Sequence, residues 1–155
     1  MKRVLFVCLG NICRSPSADG VFSAMVAEQG LSHQIGVDSA GTAAYHVGNP
    51  PDTRSTAVAK KRGYDLSVLR ARQAVEADFL EFDYILAMDQ ENLSNLQRIK
   101  PDNSNCHLGL FLDFTQINED EVPDPYYGGD AGFEHVLDLV ESASAGLLAH
   151  IKREL

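Results

Sequence analysis

Val4-Leu5-Phe6-Val7 is an unbroken apolar run of β-branched, aliphatic and aromatic side chains with no polar position to mark a solvent face. That pattern predicts a strand buried on both sides of a sheet. Similar short runs recur at Ile35 to Ala40, at Tyr84 to Met88 and, more weakly, at Cys106 to Phe111. Between them the apolar positions are spaced three and four apart. Ala18, Val21, Phe22, Met25 and Val26 predict a helix whose first turn suits Pro16. Pro51 and Asp52 open a second helix, and Leu93, Leu96 and Ile99 mark another. Phe133, Val136, Leu137, Val140, Leu147, Leu148 and Ile151 form one stripe along a last helix. Asn49-Pro50-Pro51 and the stretch 123–129 have the composition of loops.

Strands alternating with helices predict an α/β domain with a parallel sheet covered on both faces. Ligands of such sheets bind beyond the carboxyl ends of the strands, near the switch in strand order. The segment after the first strand is therefore where function is expected.

Composition narrows the picture. A chain of 155 residues is expected to form one domain. The formal net charge of −9 argues against a nucleic-acid partner, which needs a basic surface. It also requires any anion site to be built locally, against the field of the whole molecule. No apolar stretch has membrane-spanning length, and Met1-Lys2-Arg3 followed by a short apolar run does not read as a signal peptide. Three cysteines without an export signal predict a reducing, cytoplasmic setting rather than a disulfide framework. His33, His46, His107, His135 and His150 show no ligand spacing, so neither a metal nor another cofactor is expected.

The segment after the first strand reads Val7-Cys8-Leu9-Gly10-Asn11-Ile12-Cys13-Arg14-Ser15-Pro16. A cysteine ends the strand, an arginine follows six residues later, and a helix begins. The thiolate is the nucleophilic form of cysteine, and a helix N-terminus and a neighbouring cation favour it. Backbone N–H groups of a short strand-to-helix loop can turn inward as a nest for an oxyanion. Gly10 is the residue expected to permit the backbone conformation of that nest. The planar fork of Arg14 can hold two phosphate oxygens at once, and Ser15 can donate to the Cys8 sulfur. The plain alternative, a core cysteine and a solvated arginine, does not account for the strand, the helix and the Gly, Asn and Ser of the loop together.

These residues resemble the signature of the low-molecular-weight protein tyrosine phosphatase family, a Cys, five residues, an Arg and a Ser near the N-terminus. The resemblance extends over essentially the whole chain, through Asp38-Ser39-Ala40-Gly41-Thr42, Ala71-Arg72-Gln73, Phe82 to Asp89 and Asp124-Pro125-Tyr126-Tyr127-Gly128. It implies a Rossmann/flavodoxin-like sheet of four parallel strands in the order 2-1-3-4. It implies hydrolysis of phosphotyrosine and small aryl phosphates through a cysteinyl-phosphate on Cys8, without a cofactor. Cys8, Arg14 and Asp124 are the catalytic residues it implies. Leu9, Gly10, Asn11, Ile12, Cys13 and Ser15 complete the phosphate loop, with Ser39 supporting it through Asn11. Asp124 is implied as the acid that protonates the leaving phenolate and then the base that activates water; by itself an Asp-Pro pair is more often simply a turn. Cys13 is implied as a redox partner of Cys8. The implied partners are phosphotyrosine proteins, with inorganic phosphate as product and inhibitor, on a mostly monomeric enzyme with weak self-association.

Tyr45, Tyr126, Tyr127, Leu9 and Ile12 are expected to wall a slot deep enough for an aromatic ring, although a loop tyrosine can equally be a packing cap. His46 either tunes the rim or is a surface histidine. One departure from the family stands out. Many relatives have a histidine where this chain has Leu69, two residues before Ala71-Arg72-Gln73, and there it braces the loop asparagine. Related phosphoarginine phosphatases have threonine in place of Ile12, so an apolar Ile12 favours a phenyl ring. Arsenate reductases of the same fold relay a disulfide through further cysteines, and none lies between Cys13 and Cys106. A phosphate-binding adaptor without turnover has no use for Asp124. Cys106 is expected in the core.

Overall fold

The computed structural model describes residues 1–126 and 128–155. Its sheet has four strands, β1 (Lys2–Cys8), β2 (Ile35–Gly41), β3 (Tyr84–Ala87) and β4 (His107–Leu110), in the order β2-β1-β3-β4. All pairings are parallel, with Val4 opposite Val37 and Tyr84, and Tyr84 opposite His107. The helices are α1 (Arg14–Glu28), α2 (Thr53–Lys61), α3 (Asp78–Glu81), α4 (Gln90–Ile99) and α5 (Asp130–Lys152). This is the parallel α/β sheet expected from the alternation of strands and helices, in the strand order that the family resemblance implies.

The alternation of side chains along a strand divides the core in two. Val4, Phe6 and Cys8 of β1 join the larger cluster with Val21 and Phe22 of α1 and Val136, Val140 and Leu147 of α5. Leu5 and Val7 point the other way, to Phe79, Ile85, Leu96 and Leu110. Each buried large side chain contributes about 1.5–3 kcal/mol relative to exposure. β1 is thus buried from both sides, which is why it shows no polar alternation.

Two expectations about burial change. Ile99 is exposed, because α4 turns Leu96 inward and ends one residue after Arg98. Cys106 is half-buried rather than in the core, and it precedes β4, whose strand starts only at His107. Asp52 is the cap of α2, accepting from the Arg54 N–H at 2.8 Å, so Pro51 lies just before the helix. Apolar residues 111–114 form a short 3₁₀ turn, and Gly146 of α5 lies against it: a Cβ there would meet the Phe114 carbonyl.

Because the sheet is parallel, β1 and β3 end at the same edge. The chain segments that follow Cys8, Gly41 and Ala87 meet there.

Candidate active site

Cys8 is the last residue of β1 and α1 begins at Arg14, so residues 9–13 are the whole strand-to-helix connection. Four carbonyls of the loop are tied to the segments around it. Those of Cys8 and Leu9 accept from Thr42 and Ala43 at 2.9 and 3.0 Å, that of Ile12 from Asp52 at 2.8 Å, and that of Cys13 from Ser17 at 3.3 Å. Among the described residues, no backbone amide of residues 9–15 donates to a protein acceptor. Peptides with their carbonyls tied back and their amides unshared, at the N-terminus of a 15-residue helix, make an anion cradle. Gly41 lets the loop lie this close: a Cβ there would sit 2.7 Å from the Leu9 carbonyl oxygen.

The unusual backbone belongs to Asn11, not to Gly10. Asn11 has φ = 58°, in the left-handed region, and is the only described non-glycine residue with positive φ. Asparagine tolerates this better than most residues, yet the conformation still costs on the order of 1–3 kcal/mol and persists where its surroundings fix it. They do so here through three contacts. The Asn11 amide donates to Ser15 Oγ at 2.7 Å and to Ser39 Oγ at 3.0 Å, and its carbonyl accepts from the Arg72 backbone N–H at 3.0 Å. Leu69, at the position of the family's bracing histidine, packs partly buried against the larger core instead. The Arg72 backbone supplies a brace from that same segment, and its side chain is clamped by Asp78 at 3.0 Å and Asp38 at 3.1 Å. Gly10 has a different role: a Cβ there would press on the His46 ring at 2.9 Å.

Cys8 is buried, and its Sγ lies 3.1 Å from Ser15 Oγ. Arg14 is 3% exposed. Its Nη1 donates to Asp89 Oδ2 at 2.7 Å and to the Val122 carbonyl at 3.0 Å, while Nη2 stands 3.8 Å from Asp124 Oδ2. Burial works against the Arg14 charge, but Cys8, Asp89 and Asp124 outweigh it and hold the guanidinium above its ordinary pKa. With Nη1 anchored in this way, Nε and Nη2 remain as donors for two oxygens of one phosphate. Asp89 also caps α4, accepting from the Asn92 N–H at 2.8 Å. Its position just after the third strand was legible, but its service to an arginine 75 positions earlier was not.

A cleft of about 330 Å³ opens over the loop, lined by Cys8, Leu9, Gly10, Ile12, Cys13, Arg14, Tyr45, His46, Asp124 and Tyr126. Asp124 is therefore beside Cys8 and Arg14, but its side chain is 40% exposed at the mouth rather than shielded. It accepts from the Tyr126 N–H at 2.9 Å, the Asx turn that an Asp-Pro pair favours. Arg54 holds this segment to α2, donating to the Tyr126 carbonyl at 3.0 Å, with its guanidinium 5.4 Å from the Tyr126 ring centroid. Tyr45 also lines the cleft, highly exposed and edge-on to His46. Tyr127 lies outside the described residues.

Cys13 also lines the cleft, but burial, with Asp52 adding to it, pushes its thiol up to about 12. It rests as a neutral thiol. Cys106 precedes β4 at the opposite edge of the sheet from Cys8, by the register that sets His107 beside Tyr84 and Tyr84 beside Val4. Among the described residues no group of three or more His, Cys, Asp or Glu could hold a metal, and no helix is long and apolar enough to cross a membrane.

Comparison with known proteins agrees over the full length. The low molecular weight phosphotyrosine protein phosphatase family matches residues 3–155. A Synechocystis protein to which that family's name has been provisionally given is 50% identical over 155 residues, covering 99% of this chain and 98% of its own. A protein tyrosine phosphatase from Entamoeba histolytica, crystallised with Hepes in its active site, superposes with a TM-score of 0.95 at 41% identity over 99% of both chains. The Drosophila arginine phosphatase superposes at 0.91 with 32% identity, over 98% of both chains.

Proposed function

The chain belongs to the low molecular weight phosphotyrosine protein phosphatase family, and on that footing we propose that it hydrolyses phosphotyrosine through a phosphate carried on Cys8. The observation that carries this reading is the convergence of Cys8, Arg14 and Asp124 on one cleft above a loop of unshared amides.

In the first step the Cys8 thiolate attacks phosphorus, an S–P bond forms, and the P–O bond to the phenol breaks. The departing oxygen takes the proton of the Asp124 carboxyl. In the second step water attacks phosphorus, the S–P bond breaks, Asp124 takes the water's proton, and inorganic phosphate leaves the Cys8 thiolate behind. The loop amides and Arg14 hold the three non-bridging oxygens throughout, where negative charge gathers in the transition state. Ser15 can donate to the thiolate that departs in the second step. No cofactor enters this scheme.

Phosphotyrosine proteins are the proposed partners, with phosphate as product and inhibitor. A cytoplasmic, largely monomeric enzyme fits the reducing chemistry that a free Cys8 needs. Cys13 is the proposed redox partner. Peroxide oxidises Cys8 to a sulfenic acid, releasing water, and the Cys13 thiol displaces a second water to form the disulfide. A thiol held near 12 makes that second step slow.

Phosphoarginine is the second reading, favoured by the likeness to the Drosophila enzyme. Apolar Ile12 in the cleft wall sets this chain apart from that chemistry. Ile12→Thr is expected to lower the ratio of phosphotyrosine to phosphoarginine hydrolysis; an unchanged ratio overturns the wall argument. For the main reading, the enzyme is quenched in acid during turnover of p-nitrophenyl phosphate and mapped by mass spectrometry. Phosphate is expected on the peptide containing Cys8, and its absence there, with turnover proceeding, contradicts the covalent route.

A further inference from the structure

Asp124 lies between two tethers that differ in kind. Before it, Val122 is fully buried; its N–H donates to the Met88 carbonyl at 2.8 Å and its carbonyl accepts from Arg14 at 3.0 Å. Beyond it, the Tyr126 carbonyl accepts from Arg54 Nη2 at 3.0 Å. That second tether is the side chain of a residue on α2, 39% exposed, and the mechanism above gives it no task.

The same guanidinium is fixed from two further directions. Its Nε donates to Asp52 Oδ1 at 3.2 Å and its Nη2 to Asp52 Oδ2 at 3.1 Å, the paired contact that a planar fork makes with a carboxylate. Its central carbon lies 4.6 Å from the Phe133 ring centroid and 5.4 Å from that of Tyr126. Phe133 is buried in the first turn of α5, so the arginine leans on the core. An exposed ion pair adds little to stability. What this arrangement does add is direction, because it aims Nη2 at one carbonyl.

Followed both ways, the contacts join the two halves of the site. The Asp52 N–H donates to the Ile12 carbonyl of the phosphate loop at 2.8 Å. The Asp52 carboxylate holds Arg54, Arg54 holds the Tyr126 carbonyl, and the Tyr126 N–H donates to Asp124 Oδ1 at 2.9 Å. A continuous line of hydrogen bonds thus connects the loop under the phosphoryl group with the proposed acid.

We propose that Arg54 is a positioning residue for the leaving-group step, acting through Tyr126 to hold the Asp124 carboxyl in register with the phosphate loop. The inference rests on the phosphatase reading and adds to it a residue outside the cleft lining. Without Arg54 the Tyr126 side of the acid loses its tie to α2, while Val122 still holds the other side. Proton transfer depends on placement, and a displacement of about 1 Å can cost on the order of 10²-fold.

The test is single-turnover phosphorylation of Arg54→Met, whose side chain can still pack on Phe133 but donates no hydrogen bond. With phenyl phosphate, whose leaving group needs the proton, the rate is expected to fall by about 10-fold. With p-nitrophenyl phosphate it is expected to stay within about 2-fold of the wild type, and phosphate affinity is expected to be unchanged. In the Asp124→Asn background, Arg54→Met is expected to cost nothing more with either ester, because the carboxyl it acts through is gone. Equal losses with both esters, weaker phosphate binding, or a further loss beside Asp124→Asn would make Arg54 a residue of the fold and overturn the inference. A wild-type rate with phenyl phosphate overturns it too. Should Arg54→Met not fold, Asp52→Asn takes its place: it can still cap α2 but loses the ion pair. The same selective loss is expected there, and an unselective one or none overturns the inference. A wild type that forms no phosphoenzyme from either ester refutes the phosphatase reading and the inference with it. A wild type that does, beside variants that match it, refutes the inference alone.

Discussion

The two halves of the site are built to opposite standards of rigidity. On the side of the phosphate loop, Cys8, Asn11, Arg14, Ser15 and Ser39 are all buried, and their side chains are linked by hydrogen bonds of 2.7–3.1 Å to one another and to Asp89. On the side of the acid, Asp124 is 40% exposed, stands 3.8 Å from its nearest cation, and is carried on a loop held from α2 by Arg54. The difference follows from the chemistry asked of each. Oxyanion stabilisation gains from dipoles that need no reorganisation during reaction. An acid that meets leaving groups of many shapes, and then a water molecule, works from an open position. The rigid half holds the phosphoryl group and the mobile leaving group belongs to the open half.

Substitutions can break this division at graded cost. Cys8→Ser is expected to abolish turnover while phosphate binding, measured by calorimetry, survives, because the amides and Arg14 remain. Measurable p-nitrophenyl phosphate hydrolysis by a verified Cys8→Ser protein would take Cys8 out of the mechanism. Arg14→Lys comes next, since a point charge can neither bridge two oxygens nor reach Asp89 and Val122 together. A kcat/KM loss on the order of 10²-fold or more is expected there. Asp89→Asn keeps a side chain able to cap α4 but loses the ionic anchor of Arg14, so kcat/KM should fall by about 10- to 100-fold, the range for a charge-assisted hydrogen bond. If steady-state kinetics of Asp89→Asn match the wild type, Arg14 is held by the fold and not by Asp89.

Asp19 is buried on α1, and Asp19→Asn should move stability rather than abolish chemistry. In the folded protein burial first, and the Asp38 charge second, raise its carboxyl from 3.8 to about 6. The folded state therefore binds the proton more tightly than the unfolded chain between those values, and Asp19 costs stability as pH rises from about 4 to 6. Above that interval the full penalty is present. The Asn variant is expected to be more stable than the wild type at pH 7.5 by roughly 2–3 kcal/mol, with the gain vanishing near pH 4. Melting temperatures measured across this range check it; a gain independent of pH would assign it to packing.

How much of this was legible in the sequence depends on chain distance. Cys8, Arg14 and Ser15 share one short segment, so strand, loop and helix could be read together with their chemistry. The sheet was legible because Val4 to Val7 have no solvent side to reveal. What escaped depends on contacts between remote segments. Asn11 carries the left-handed turn in place of Gly10 because Ser39 and Arg72 hold its side chain from other segments. Asp89 orients Arg14 across 75 positions. Ile99 keeps the helical spacing of Leu96, yet α4 ends there and leaves it in solvent. Leu69 suggested a missing brace, and only the folded chain brings the Arg72 N–H to the Asn11 carbonyl from the same segment.

The division between a fixed loop and an open acid is tested most directly by single-turnover phosphorylation of the enzyme with a series of aryl phosphates of rising leaving-group pKa. The wild-type rates are expected to depend weakly on leaving-group pKa, because Asp124 supplies the proton. In Asp124→Asn the dependence should become steep, with losses of roughly 10²–10⁴-fold for phenols as poor as tyrosine and little loss for nitrophenols. Phosphate affinity should stay unchanged, since the loop is intact. A mutant with the wild-type slope would mean that another group or water is the acid, and would contradict the account.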